Sequence, residues 1–132
     1  MKRTQSLIRF SHDHHHGLVH VRKIRQGLKE QTAVEQLAAE IGFFFKTQLA
    51  DHFSDEELYI FSLLDTGDPL FIRGLAEHGE IKRLAAAILK DKKINDIKCY
   101  ADMLEAHIRF EERELFEYLQ LQFPVALEKL VK

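Results

Sequence analysis

Two segments of the chain share the pattern His-x-x-x-Glu-Glu: His52-Phe53-Ser54-Asp55-Glu56-Glu57 and His107-Ile108-Arg109-Phe110-Glu111-Glu112. Each lies inside a long run whose apolar residues recur at helical steps of three and four. Residues i and i+4 stack on one face of a helix, so His52 stands over Glu56 and His107 over Glu111. Each pair presents an imidazole and a carboxylate in one direction, a donor combination that suits a transition-metal ion. Two such pairs in one short chain point to two metals. The remaining sequence must then supply the other ligands.

The surrounding periodicity predicts four long helices. The first runs from about residue 4 to 28, with Leu7, Phe10, His14, Leu18, Val21, Ile24 and Leu28 on one face. His14 occupies a core slot there, and His15 would replace it if the helix were rotated by one residue. His12 and His16 form an i,i+4 pair on another face, either a solvated surface or a place for a surface metal, and His20 is expected to be exposed. The second helix, about 33 to 64, carries the stripe Leu37, Ile41, Phe45, Leu49, His52, Glu56, Tyr59 and Leu63. The polar stretch 29–32 marks the exit of the first helix and the N-cap of the second.

Asp68-Pro69 reads as the N-cap and first residue of a third helix, reaching about residue 89 with Phe71, Leu75, His78, Ile81, Ala85 and Ile88 inward. Asn95 or Asp96 is expected to cap a fourth, to about Gln122, with the stripe Ile97, Tyr100, Leu104, His107, Glu111, Leu115 and Tyr118. Phe123-Pro124 ends it, and Val125 to Val131 read as a short closing helix. Long helices on short connections predict an all-α, antiparallel up-down four-helix bundle with a short C-terminal helix, as one domain over residues 1–132.

Composition narrows the function classes. A net charge of −2 over 132 residues leaves no basic footprint for nucleic acid or for an anionic membrane. No run approaches the length of a membrane span, and no apolar segment succeeds the basic start as a signal peptide requires. Cys99 is the sole cysteine, so no intrachain disulfide forms. A cytoplasmic protein is expected.

The decisive physical point is burial. A carboxylate placed in an apolar interior without a partner costs several kcal/mol, and Glu56 and Glu111 both fall on inner stripes rich in Phe and Leu. Metal ions shared by both carboxylates would compensate that charge. The two halves of the chain repeat the arrangement. His14, then His52 and Glu56, make one set; His78, then His107 and Glu111, make the other. The Glu-x-x-His pattern of ferritin-like bundles is absent, because Leu49, Leu75 and Leu104 stand three residues before the histidines.

Asp13-His14, His52-Phe53-Ser54-Asp55-Glu56-Glu57, Glu77-His78 and His107-Ile108-Arg109-Phe110-Glu111-Glu112, in that order, resemble the hemerythrin-like family of HHE cation-binding domains, over nearly the whole chain. The resemblance implies an up-down four-helix bundle holding a non-haem di-iron centre. His14, His52, His78 and His107 would be terminal ligands, with Glu56 and Glu111 as bridges. It also implies two iron ions, with zinc or manganese as alternatives, and a bridging oxo or hydroxo group. Oxygen-carrying members place a second histidine one turn from the third-helix ligand, where this chain has Gly74 and Lys82. Their fourth-helix bridging Asp is replaced by Glu111 at a different spacing. A more open and symmetric site is therefore expected.

The expected role is binding or sensing of a small diatomic ligand such as oxygen, or iron handling, rather than enzymatic turnover. A di-metal oxidase or peroxidase is the first alternative, and a metal-free helical interaction module another. No protein partner is indicated. Glu57 and Glu112, turned about 100° from the bridges, are read as solvated charges in preference to hydrogen-bond acceptors for a ligand histidine. Lys82 is expected to point outward, Cys99 to fill a small gap in the core, and one ring of Phe43-Phe44-Phe45 to be exposed.

Overall fold

A computed structural model describes residues 2–130. Helix α1 spans Gln5–Lys29. Helix α2 runs without a break through Val34–Phe44, Phe45–Leu49, Ala50–Asp55, Glu56–Ile60 and Phe61–Leu63. Helix α3 is Pro69–Asp91. Helix α4 is continuous through Ile94–Phe110, Glu111–Leu115 and Phe116–Gln122, and α5 is Pro124–Glu128. Val131, the expected end of the closing helix, lies outside the described residues.

The helix ends obey local chemistry in part. The Asp68 carboxylate accepts the Leu70 N–H at 2.8 Å, with Pro69 just inside, as a Pro at the first helical position should sit. Lys92, at φ 52°, closes α3 in the left-handed conformation. The other two caps differ from expectation. Ala33 and Lys93 precede α2 and α4 without any side-chain capping bond, and Asn95 and Asp96 lie inside the first turn of α4. These ends are positioned by packing instead.

The four long helices pack in a ring: α1 on α2, α2 on α3, α3 on α4 and α4 back on α1, with α5 folded against α1 and the end of α4. Two apolar clusters fill the interior. One holds Val21, Ile24, Leu37, Ile41, Ile81, Ile88, Ile97 and Leu104. The other holds Leu7, Phe10, Ile60, Phe61, Phe110, Phe116, Leu119 and Leu127. Each fully buried Leu, Ile or Phe contributes roughly 1.5–3 kcal/mol, so the two clusters clamp the bundle at either end of whatever lies between them.

Three segments are π-helical: Phe45–Leu49, Glu56–Ile60 and Glu111–Leu115. An i→i+5 turn admits one residue more than an α turn, and such bulges concentrate at functional sites. Both buried glutamates begin one. The inserted residue shifts the inward face beyond it. Ile60, not Tyr59, is buried; Tyr59 is exposed. Beyond Glu111 the buried residues are Leu115, Phe116 and Leu119, while Tyr118 is only half-buried.

Two further residues depart from expectation. Cys99 is exposed on α4 and fills no gap. His20 is buried: its ring stacks on Phe44 at 3.9 Å, and its Nε2 is hydrogen-bonded to the Tyr100 hydroxyl at 2.9 Å. Burial pushes the His20 pKa down to about 4 and raises that of Tyr100, so both are neutral partners in the core. Phe43 is the exposed ring of its triplet.

Candidate metal centre

Each long helix carries one imidazole into the layer between the two apolar clusters. His14 comes from α1, His52 from α2, His78 from α3 and His107 from α4, all buried, and Glu56 and Glu111 are 0% exposed. His15, the competitor in the first helix, is exposed. The donor atoms form two groups able to hold a metal ion. One is His14, His52, Glu56 and Glu111; the other is Glu56, His78, His107 and Glu111, with the atoms of each group within 4.8 Å of one another. Both carboxylates belong to both groups, and each pair of histidines comes from one helical hairpin.

Whether these residues suit a metal can be tested on their hydrogen bonds. His52 Nε2 stands 3.2 Å from Glu56 Oε2, and His107 Nε2 3.0 Å from Glu111 Oε2. Neither contact has hydrogen-bond geometry, and among the described residues these four buried atoms find no hydrogen-bond partner. Buried polar atoms are rarely left so. One unpartnered nitrogen falls in each of the two groups, and the two unpartnered oxygens belong to the carboxylates that both groups share, which are the donors a cation in each group would satisfy. The residues fit the group.

The opposite ring nitrogens are all occupied. Nδ1 of His52 donates to Asp13 at 3.0 Å, that of His78 to Glu57 at 2.7 Å, that of His107 to Glu77 at 2.7 Å and that of His14 to Glu112 at 2.6 Å. Each acid therefore serves the histidine of the next helix: α1 to α2, α2 to α3, α3 to α4 and α4 to α1. This closed ring fixes every imidazole with Nδ1 protonated and Nε2 turned to the centre, the orientation that carboxylate partners impose on metal-ligating histidines. Glu57 and Glu112 are thus acceptors, contrary to the solvated reading. Asp13 and Glu77 share that role, which the sequence reading did not assign them. A signal existed: an acid adjoins an inner residue at 13–14, 56–57, 77–78 and 111–112.

The acids are themselves tied to the surface. Arg3 reaches Glu112 at 3.2 Å, Arg73 reaches Glu77 at 3.0 Å, and Lys82, otherwise exposed, approaches Glu57 at 3.8 Å. Phe53 stacks on His78 at 3.9 Å. A Cβ built at Gly74 would meet the Phe61 ring at 2.1 Å, so this ring fills the space one turn before His78.

Without a metal, protons hold the centre together. Burial opposes a charge on His52, but Glu56 and then Asp13 outweigh it and lift the pKa to about 9. Burial likewise opposes charge on His107, and Glu111 with Glu77 lifts it to about 10. His78 is raised, and His14 well raised, against the same burial by their carboxylate contacts. Burial works against ionisation of Glu111 too, yet His107 and its other partners hold it well below the usual carboxylate range. The imidazolium protons thus do the neutralising that a cation at the Nε2 side would do.

A small cavity of about 20 Å³ reaches this point from between α1, α2 and α4. His14, His52 and His107 line it together with Gly17, Phe44 and Ile108. A cavity needs roughly 10–15 Å³ of such space to hold one water, so the space found is about that of one very small molecule.

Residues 4–119 match the Hemerythrin HHE cation binding domain. The chain belongs to this family. A search of curated proteins and a search of solved structures each returned no significant match. The hemerythrin-like bundle is a cation-binding domain, and its His and Glu clusters are suited to hold metal. Among the described residues no helix is long and apolar enough to cross a membrane.

Proposed function

We propose that this hemerythrin-like domain holds two iron ions and uses them to bind or sense oxygen or a related diatomic molecule. His14 and His52 serve one ion, His78 and His107 the other, and Glu56 and Glu111 bridge them. The observation that carries the reading is the pair of overlapping His₂Glu₂ groups whose unpartnered atoms converge. Iron is the metal that the hemerythrin resemblance implies, and a set of imidazole nitrogens with shared carboxylates accommodates it, as it would zinc or manganese.

Bound iron supplies exchangeable coordination positions and electrons for a small ligand. The chain's own residues do the rest. The ring of outer acids holds each imidazole in place, Phe53 and Phe61 keep the His78 side dry, and the cavity beside Gly17 admits a molecule of diatomic size. That size limit favours binding over turnover of a bulky substrate. The lone cysteine and the ligand chemistry accord with a reducing cytoplasm.

The test is metal content after anaerobic reconstitution with ferrous iron, then azide and oxygen binding read by absorption. Two irons per chain are expected, with loss of metal in both His52→Ala and His107→Ala. Full retention of iron in both variants would refute the assignment. Catalytic consumption of peroxide by the loaded protein would instead support the oxidase or peroxidase reading.

A further inference from the structure

Outside the buried centre, the first helix presents a second set of nitrogen donors that the centre does not use. His12 and His16 are exposed on α1, one turn apart, and their Nε2 atoms lie 3.2 Å from each other. The two rings meet at 88° with centroids 4.7 Å apart. Two nitrogens on one tetrahedral ion, each at about 2.0–2.1 Å, are themselves separated by about 3.3 Å. In the metal-free protein the two nitrogens share a hydrogen bond at this distance; a cation taking the place of that proton would find them near the spacing it needs, and imidazole is a good donor for zinc, copper or nickel. His15 lies between them in sequence, yet its ring centroid is 6.0 Å from that of His16, and it is not part of the pair. The buried donor His14 points to the bundle interior, so the two sets of ligands occupy different faces of one helix.

We infer that His12 and His16 form a second, surface metal site that chelates one divalent transition-metal cation through both Nε2 atoms, with water completing its coordination. The helix holds both donors in place before the ion arrives, so the second bond forms at high effective concentration. With only two protein ligands and open water positions, the ion exchanges readily with solution, unlike an ion enclosed between the apolar clusters. The site is independent of which metal fills the interior.

Calorimetric titration of untagged, iron-loaded protein with Ni²⁺ tests this, with iron content checked before and after. One Ni²⁺ per chain is expected beyond the interior metal. Both His12→Ala and His16→Ala should weaken it by about 100-fold, the gain from linking two donors, while His15→Ala leaves it unchanged. All three positions are exposed, so the variants keep the fold, which circular dichroism verifies. Absence of Ni²⁺ binding at the surface, survival of binding in His12→Ala, or equal weakening in His15→Ala would each overturn the site. The readout is a difference between parent and surface variants, so it stands even if the interior fails to take up iron.

Discussion

Glu77→Gln isolates the contribution of the outer acids to the metal centre. The Glu77 carboxylate accepts the His107 Nδ1–H at 2.7 Å and is only 16% exposed, and Arg73 holds its other oxygen at 3.0 Å. Glutamine keeps the shape, and its amide oxygen still accepts the same proton. The negative charge is lost, and with it the added basicity of Nε2 toward a metal. Loss of an outer partner of this kind weakens metal binding by about 10–100-fold, or roughly 1.4–2.7 kcal/mol. The penalty should fall on one ion. Asp13 and Glu112 still serve His52 and His14, so the ion between those two keeps its full support.

The assay is anaerobic ferrous titration against a chelating indicator. Two tight equivalents in the parent should become one tight and one weakened equivalent in Glu77→Gln. Glu114→Gln is the control, since Glu114 also pairs with Arg73, at 3.3 Å, but touches no imidazole and is 54% exposed. Identical titrations for Glu77→Gln and Glu114→Gln would refute the claim that Glu77 acts through His107. Equal weakening of both irons would refute the assignment of His107 to one group.

The same geometry governs pH dependence and packing. His52 and His107 have folded pKa values of about 9 and about 10, above the ordinary imidazole value of about 6.5. The folded metal-free protein therefore binds more protons than the unfolded chain in that interval, and its stability should fall as pH rises from about 6.5 through 10. Urea melts across this range would show it, and the metal-loaded protein should show far less slope. Gly74→Ala should destabilise the fold by roughly 1–3 kcal/mol through overpacking on Phe61, and Phe61→Leu in the same chain should recover part of the loss. At Gly17 an added Cβ meets the flexible tip of Ile108 at 2.8 Å beside the cavity; Gly17→Ala should slow azide association in stopped flow without changing the iron content.

The bundle was legible because period and punctuation agree. Leu37, Ile41, Ile81, Ile88, Ile97 and Leu104 all sit where three-and-four spacing places them, and Asp68-Pro69 starts α3 as its chemistry demands. Periodicity failed where the helix changes its own period. A π turn beginning at Glu56 and another at Glu111 rotate the residues beyond them, so Tyr59 and Tyr118 lost their inner places to Ile60 and to Phe116 with Leu119. Nothing in a count at fixed spacing announces such an insertion. His20 was missed for a different reason. It stands beside Val21 on the flank of the α1 stripe, and what buries it, Phe44 and Tyr100, arrives from two other helices.

The inner six residues and the outer four differ in the same way. His14, His52, Glu56, His78, His107 and Glu111 each occupy a core slot, where a charged or polar residue contradicts its apolar neighbours and so draws notice. Asp13, Glu57, Glu77 and Glu112 lie one residue aside, where a carboxylate is ordinary on a solvated flank. Their role exists only between helices, since each bonds the imidazole of the next helix around the ring. One acid per helix suffices because the helices close on themselves: whatever orients His52 from α1 is repeated by α2 for His78, by α3 for His107 and by α4 for His14. A change in the packing of any one pair would therefore release an imidazole and, through the shared carboxylates, loosen both groups. The same connectivity predicts that substituting two outer acids on adjacent helices, Glu57→Gln with Glu77→Gln, weakens one ion far more than Asp13→Asn with Glu77→Gln, which spreads the loss over two. The first pair removes the charged partner of both His78 and His107, and the second removes that of one histidine in each group.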